Sequence, residues 1–168
     1  RAPLCPVPSF KGARPLDWFD CAAAPCREEC AAGQDVSQYM HWVGKGAAGR
    51  AAEVIWQTNP LPAVCGMVCD QKCRSRCTRG LYDRPLEIRA VKRYAVKNGK
   101  LPVARVETSA ASLRAAVIGA GPSGLAAARD LARAGFWVEV FEANDIAGGL
   151  AATVIPGFRL GGSALNED

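Results

Sequence analysis

The sequence predicts a mainly α-helical, cysteine-rich domain followed by the start of an α/β, Rossmann-like nucleotide-binding domain. Two observations lead to this prediction. All eight cysteines lie between positions 5 and 77 of the 168 residues, and a glycine-rich turn lies well beyond them at residues 119–124. The hydrophobic pattern also changes between these regions, from helical spacing to short apolar runs on either side of a helix.

Composition limits the class of protein. The chain has 21 Lys+Arg and 16 Asp+Glu, a net charge of +5, and 49% hydrophobic residues, which is typical of globular proteins. No apolar stretch approaches the roughly 18 residues needed to cross a bilayer, and no signal peptide starts at Arg1. We therefore expect a cytoplasmic protein with no membrane partner. A first residue other than Met and an end at Asp168 suggest a fragment of a longer chain.

Residues 1–15 and 16–100 are predicted to form an extended arm and a small helical domain. Four prolines in the arm disfavour regular structure. Apolar residues at helical spacing, together with capping and stop signals, predict three helices in the domain, at about 35–44, 47–58 and 85–99. Pro85 fits the first turn of the third helix, where a missing N–H costs nothing. The first two helices form a hairpin between the two groups of cysteines.

The remaining residues are predicted to form a linker and part of a parallel sheet. Residues 101–113 include a proline and a run of small polar residues, so they indicate a linker. Residues 114–168 then predict a strand at 115–118, a helix at 121–134 and a strand at 137–141. This β-α-β order is the unit of a parallel sheet.

The cysteines form C-x4-C-x3-C at residues 21–30 and a threefold C-x3-C repeat at 65–77, with Cys5 apart. Without an export signal, such groups indicate metal or redox chemistry more than disulfides. Iron–sulfur clusters fit best, because soft thiolates suit iron and would staple a domain with a small core. Structural zinc fits less well, because C-x3-C spacing differs from its usual knuckles. Gly66 and the interspersed charges favour a loop around a cluster at 65–77 over one regular helix.

Basic residues are concentrated next to the second cysteine group. Residues 70–100 contain ten Lys or Arg and three Asp or Glu, a net charge of +7. Nearby cations would stabilise an anionic cluster in its reduced form, and a solvated helix face explains the same charges equally well. Nucleic-acid binding is a third interpretation. We expect no nucleic-acid partner, because the aromatic and basic residues do not interleave as in known binding motifs.

The glycine-rich turn has the G-x-G-x-x-G pattern directly after a predicted strand and directly before a predicted helix. In this context Gly119 allows the tight turn, Gly121 lets the backbone approach a pyrophosphate, and Gly124 lets the helix lie close to the sheet. Glu142 ends the second strand, where a carboxylate accepts hydrogen bonds from ribose hydroxyls. The same parts serve NAD or FAD. The alternative is a glycine-rich turn that binds nothing.

Several further segments match one known arrangement. They are Cys21-Ala-Ala-Ala-Pro-Cys26, Thr58-Asn59-Pro60-Leu61-Pro62, Cys65-Gly-Met-Val-Cys69, Ala116 to Ala127, Gly148-Gly149-Leu150 and Ile155-Pro156-Gly157-Phe158-Arg159-Leu160. Together they resemble the N-terminal iron–sulfur domain and the start of the FAD domain in the family of the glutamate synthase small subunit and dihydropyrimidine dehydrogenase. Within that family, Cys69-Asp-Gln-Lys-Cys73 and Cys77-Thr-Arg are most similar to the large selenate reductase-like proteins.

The resemblance implies two [4Fe-4S] clusters, each with ligands from both cysteine groups. Cys21, Cys26 and Cys77 would hold one cluster, and Cys30, Cys69 and Cys73 the other. Two departures leave each cluster without an obvious fourth ligand. Trp18 stands where the family has its first cysteine, and Lys92 stands where it has a non-cysteine ligand. Cys5 and Cys65 are the candidates to complete the first and second clusters.

For the second domain the resemblance implies FAD, bound by Gly119, Gly121, Pro122, Ser123, Gly124, Glu142, Gly149 and Leu150. The implied function is electron transfer in an NAD(P)H-dependent flavin and iron–sulfur oxidoreductase. The NAD(P)H site and an electron-acceptor domain or subunit would lie beyond Asp168, so we expect the chain by itself to be inactive and to bind FAD poorly. No residue resembles a catalytic acid, base or nucleophile. The alternative function is a zinc- or disulfide-stapled helical interaction domain attached to a nucleotide-binding domain.

Overall fold

A computed structural model of the chain describes residues 23–100 and 113–168. The predicted arm, most of the predicted linker, Cys5, Trp18 and Cys21 lie outside the described residues. The elements in chain order are α1 (Pro25–Glu28), α2 (Val36–Gly44), α3 (Ala48–Thr58), α4 (Pro62–Val68), α5 (Lys72–Ser75), a 3-10 turn (Thr78–Leu81), α6 (Ile88–Gly99), β1 (Arg114–Ile118), α7 (Pro122–Arg133), β2 (Trp137–Phe141), α8 (Leu150–Thr153) and α9 (Gly162–Glu167).

The helical part is built around α2, α3 and α6. Asp35 caps α2 as its spacing to Gln38 predicts, because its Oδ1 accepts a hydrogen bond from the Gln38 N–H at 3.0 Å. The α2–α3 hairpin packs against α6, and together they bury a core that includes Tyr39, Ile55 and Ala95. The predicted hairpin between the cysteine groups is therefore confirmed.

The position of Pro85 is a correction. It does not lie in the first turn of the third helix, because α6 begins three residues later at Ile88. Ile88 is the first residue of this segment that is buried in the core, whereas Leu86 and Glu87 before it are exposed. The helix thus begins where its apolar stripe meets α2 and α3.

The expectation of a loop at residues 65–77 is also partly wrong, because α4 and α5 lie in this segment. Pro62 occupies the first turn of α4, and Gly66 is buried where a Cβ would come 3.4 Å from Arg93 Cβ, so this glycine permits a close helix contact. The chain leaves the helical path at Cys69 and turns at Gln71, whose φ is +58°. The cysteine repeat at residues 65–77 therefore lies on two short helices, α4 and α5, with a sharp turn of the backbone between them.

The second part of the structure begins as a parallel β-α-β unit, as predicted. Strands β1 and β2 pair in parallel, with Arg114 opposite Trp137 and Ile118 opposite Phe141. Helix α7 connects them and packs on both. Helices α8 and α9 follow β2 and were not predicted from the sequence.

The two parts contact each other through charged and apolar side chains. The carboxylate of Asp168 accepts hydrogen bonds from the N–H groups of Ala63 and Val64 at 2.8 Å each, in the first turn of α4. Arg129 on α7 donates to the carbonyl of Trp56 and lies 4.2 Å from the centre of its ring. A second apolar cluster joins α4 to the C-terminal helices through Val64, Ala151, Leu160 and Ala164. Within residues 23–100 and 113–168, no helix is long and apolar enough to span a membrane.

Gly99 provides a test of how α3 and α6 pack. A Cβ at Gly99 would overlap the Ala48 carbonyl and come 2.7 Å from Ala52 Cβ. We expect Gly99→Ala to lower the free energy of unfolding by about 1–3 kcal/mol, because the overpacked helices must separate. Urea denaturation followed by circular dichroism measures this change. Gly44→Ala at the end of α2 is the control, because a Cβ there meets no atom within 4 Å. Equal effects of the two substitutions would contradict this account of the α3–α6 contact.

Candidate cofactor sites

Six of the eight cysteines lie in the described residues, and all six are free, partly buried thiols. Cys26 lies on α1, Cys65 on α4 and Cys73 on α5, while Cys69 and Cys77 follow the ends of α4 and α5. A cavity of about 200 Å³ is lined by four of them, Cys30, Cys65, Cys69 and Cys73. The two groups that are distant in sequence therefore meet at one place.

These thiols are partly buried and share their cavity with other cysteines. Burial raises the pKa of Cys73, and the neighbouring Cys30 and Cys69 raise it further. Burial also raises the pKa of Cys26, and the nearby Cys77 adds to this rise. Free thiols in such a place stay protonated, and a bound metal would displace the protons and compensate the thiolate charge. This donor set fits an iron–sulfur cluster, whose ligands are thiolates held in a partly dry cage.

Polar and charged side chains other than the cysteines also line this cavity, and four of them are buried or partly buried next to the thiols, namely Lys92, Arg89, Gln34 and Asn59. Lys92 is only 7% exposed, and its Nζ lies 4.0 Å from Cys69 Sγ. Arg89 donates to the Cys69 carbonyl at 2.8 Å. Gln34 and Asn59 are each 2% exposed and line the same cavity. Gln34 was not singled out by any sequence pattern, and Asn59 was interpreted only as a helix stop and as part of the segment Thr58-Asn59-Pro60-Leu61-Pro62, with no role at the cysteines.

The basic surplus of residues 70–100 divides into two classes. Arg89 and Lys92 point toward the cysteines, as described above. Several others form exposed ion pairs, such as Arg74 with Glu87 at 2.6 Å and Arg79 with Asp83 at 2.9 Å. The hydrogen bonds from Arg79 lower the pKa of Asp83 to about 2. Arg89 and Lys92 therefore have the positions expected of cations beside a cluster, whereas Arg74 and Arg79 have those expected of a solvated surface.

The glycine-rich turn has the backbone that a dinucleotide site requires. Gly119 has a φ of +97°, a conformation that side chains disfavour. A Cβ on Gly124 would overlap the Gly119 carbonyl oxygen, so only glycine lets α7 start this close to β1. Gly121 caps α7, and Pro122 and Ser123 form its exposed first turn. This N-terminus fits the pyrophosphate of NAD or FAD.

The second glycine pair lies against this turn. The Gly148 N–H donates to the Ala120 carbonyl at 2.7 Å, and a Cβ on Gly149 would come 2.9 Å from Gly121 Cα. Leu150, the first residue of α8, is 72% exposed. The structure thus brings Gly149 to the turn and leaves the Leu150 side chain at the surface.

Glu142 is held beside the same turn. One carboxylate oxygen accepts from the Ala120 N–H at 2.8 Å, and the other accepts from the Asn144 backbone and side-chain N–H groups at 2.9 and 2.8 Å. The hydrogen bonds from Asn144 and Ala120 lower the pKa of Glu142 below its usual value. The carboxylate therefore links the end of β2 to the glycine-rich turn and stays charged.

Comparison with known proteins agrees with this arrangement. Residues 14–101 match the family described as dihydropyrimidine dehydrogenase domain II, 4Fe-4S cluster. Residues 117–166 match the NAD(P)-binding Rossmann-like domain. The chain thus combines an iron–sulfur cluster domain with the start of a Rossmann-like nucleotide-binding domain, which confirms the predicted fold class. It belongs to the dihydropyrimidine dehydrogenase domain II iron–sulfur family, as its resemblance to that group indicates.

Individual relatives are oxidoreductases much longer than the chain. YgfK of Escherichia coli K12 is 40% identical over 167 residues, which are 97% of the chain and 16% of YgfK. The NADP(+)-dependent formate dehydrogenase subunit beta of Moorella thermoacetica is 38% identical over 161 residues, 82% of the chain and 23% of that subunit. The NAD-dependent dihydropyrimidine dehydrogenase subunit PreT of Salmonella typhimurium is 32% identical over 152 residues, 88% of the chain and 37% of PreT.

The contribution of Glu142 to stability is predicted to depend on pH. Because its pKa is lowered on folding, the stabilisation is complete above the unfolded-state pKa of about 4.3 and is lost as pH falls through the folded-state value. We expect Glu142→Gln to be less stable than wild type at pH 7, with a difference that shrinks toward pH 3. Urea titrations of both proteins between pH 7 and about pH 3 measure this difference in the free energy of unfolding. Glu139→Gln, the same change at an exposed site on β2, is the control, and an equal pH-dependent gap for it would contradict the prediction.

Proposed function

We propose that the chain is the electron-transfer module of an NAD(P)H-dependent FAD and iron–sulfur oxidoreductase, and that it passes electrons between FAD and an acceptor through two [4Fe-4S] clusters. The observation that carries this proposal is a cavity lined by thiols from two distant sequence groups, in a domain whose helix α4 contacts the C-terminal helices that follow a dinucleotide-type turn. The proposal assigns no catalytic side chain, because the chemistry belongs to the bound groups.

The proposed cluster ligands fall into two sets of three cysteines. Cys21, Cys26 and Cys77 form the first set, and Cys30, Cys69 and Cys73 form the second. Cys30, Cys69 and Cys73 line the same cavity whereas Cys26 and Cys77 do not, which supports this division. Cys5 and Cys65 are the candidates to complete the sets. When bound, the clusters would supply one-electron carriers, while the chain's own residues position the thiols and exclude water.

The proposed FAD site comprises the residues around the glycine-rich turn, which are Gly119, Gly121, Pro122, Ser123, Gly124, Glu142, Gly149 and Leu150. In this proposal the N-terminus of α7 binds the pyrophosphate and Glu142 accepts from ribose hydroxyls in place of its present partners. FAD, when bound, would convert a hydride into single electrons.

The contact between the two parts supports electron transfer between them. Asp168 and the cluster around Val64 join the C-terminal helices to α4, which carries Cys65 and leads directly into Cys69. Arg129 and Arg133 of α7 also donate hydrogen bonds to the carbonyls of Trp56 and Gln57 near the end of α3. These contacts would hold the thiol cavity and the glycine-rich turn in one fixed relation.

The zinc alternative has less support in the geometry. In residues 23–100 and 113–168, no three Cys, His, Asp or Glu side chains converge on one point that could hold a single metal ion. A zinc ion needs all its ligands at one centre, whereas each thiolate of a cubane cluster binds a different iron. The cysteines here surround a cavity, as the second arrangement requires.

We also propose a cytoplasmic location and an electron-acceptor partner, either a domain of the same polypeptide or a separate subunit. Two of the relatives described above are named as subunits, which supports an acceptor held in an assembly. The acceptor's chemistry is open, because fold likeness is a weak guide to substrate.

Purification without oxygen tests the proposal. We expect a brown protein with broad absorption near 400 nm and about eight irons and eight acid-labile sulfides for two clusters. Cys69→Ser is expected to lose up to about half of this iron, because it disables the second set. Met67→Leu, a conservative change in the helix that leads into Cys69, is the control and should keep all of the iron. A colourless protein that contains stoichiometric zinc, or neither metal, would contradict the proposal.

A further inference from the structure

The second set of cysteines poses a specific question, because only three thiols are assigned to it. Its cavity is lined by a fourth, Cys65. Of the other polar side chains that line this cavity, three are buried and are rival ligands or neighbours, namely Gln34, Asn59 and Lys92, whereas Glu29 and Asp70 are exposed. The contacts of each side chain distinguish their roles.

The backbone of α4 sets the position of Cys65. This cysteine lies one helical turn before Cys69, and the Cys69 N–H donates to the Cys65 carbonyl at 3.3 Å. Helix α4 ends at Val68, so the two cysteines form the last turn of the helix and its exit. Asn59 lines the same cavity, and its Oδ1 accepts from the Leu61 N–H at 3.1 Å just before α4 begins. Cys65 is therefore held in a defined position at the cavity wall.

Lys92 has the properties of a counter-ion. Its ammonium is buried 4.0 Å from Cys69 Sγ and acts electrostatically on Cys65, Cys69 and Cys73. An ammonium group has three donors and no lone pair, so it cannot bind iron while charged. A cation among several thiolates offsets their mutual repulsion and favours the addition of an electron.

Gln34 is the remaining rival. Its Nε2 donates to the Ile55 carbonyl at 2.9 Å and to Thr58 Oγ1, which fixes the amide. Its Oε1 is buried and has no hydrogen-bond partner among the described residues. An amide oxygen is a hard donor, however, and iron in a sulfide cluster prefers the thiolate that Cys65 offers from the same cavity wall.

We propose that Cys65 is the fourth ligand of the second cluster, so that Cys30, Cys65, Cys69 and Cys73 form a complete all-cysteine set with Lys92 as its buried counter-ion. This inference rests on the proposed function, because it requires a cluster in the cavity. It makes α4 a ligand-bearing helix and gives Lys92 an electrostatic role.

The test compares four variants of the anaerobically purified protein. Cys65→Ser is the main variant, and Cys77→Ser is its match in the other set. Lys92→Leu and Gln34→Leu remove the rival ligands without adding a donor atom. Iron and sulfide content, the electron paramagnetic resonance spectrum of the reduced protein and the midpoint potential of each cluster are measured for all four.

We expect Cys65→Ser to lose between about one and four irons per chain and to change one cluster signal, while Cys77→Ser changes the other. Lys92→Leu should keep its iron but show about a tenfold lower ratio of reduced to oxidised cluster at a fixed potential, which is 59 mV for one electron. Gln34→Leu should keep its iron. The unchanged signal of the other cluster shows in each variant that the domain is folded.

Two results would overturn the inference. Wild-type iron content, spectrum and potentials in Cys65→Ser would exclude Cys65 as a ligand. Loss of the second cluster in Lys92→Leu or Gln34→Leu, with Cys65→Ser unaffected, would assign the ligand to that residue. Absence of any cluster from the wild-type protein would instead contradict the proposed function itself, so the two failures are distinguishable.

Discussion

The structure depends on the closure of the chain segment between the two cysteine groups. Residues 31–64 must return the chain to its starting point before thiols from both groups can meet, and the α2–α3 hairpin packed on α6 does this. Closing such a loop costs conformational entropy, which burial of the core side chains offsets. Tyr39 connects the two functions of this core, because it is fully buried among the helices and also lines the thiol cavity. Burial and the nearby cysteines both raise its pKa, so its hydroxyl stays neutral there.

The sequence was informative where one local pattern determines the outcome. The cap at Asp35, the strand at Trp137–Phe141 and the glycine spacing from Gly119 to Gly124 each specify their own geometry, and each has the expected form. The start of α6 and the path of α4 depend instead on tertiary contacts. Gly66 is disfavoured in an isolated helix, and only its contact with Arg93 explains its place in α4. Helices α8 and α9 are too short for a periodic signal.

The same contrast between local sequence patterns and tertiary contacts holds for the candidate sites. The cysteines and the glycine-rich turn could be predicted from spacing, because the ligand chemistry restricts both residue type and order. Gln34, Asn59 and Arg89 could not, because each reaches the cavity from an element whose local pattern concerns a helix end or a helix surface. The charge of residues 70–100 shows why composition alone is ambiguous. Two arginines of this segment differ in role, because Arg74 forms an exposed ion pair whereas Arg89 contacts Cys69.

Helix α7 connects the glycine-rich turn to the helical part of the structure. One end is the glycine-rich turn, and the other places Arg129 and Arg133 over the Trp56 ring at the end of α3. The twelve residues of α7 span about 18 Å, so a rigid helix sets the distance between the glycine-rich turn and the Trp56 ring. Each residue inserted into α7 would rotate its far end by about 100° and turn both arginines away from Trp56. The length of this helix is therefore constrained as tightly as the residues at its two ends.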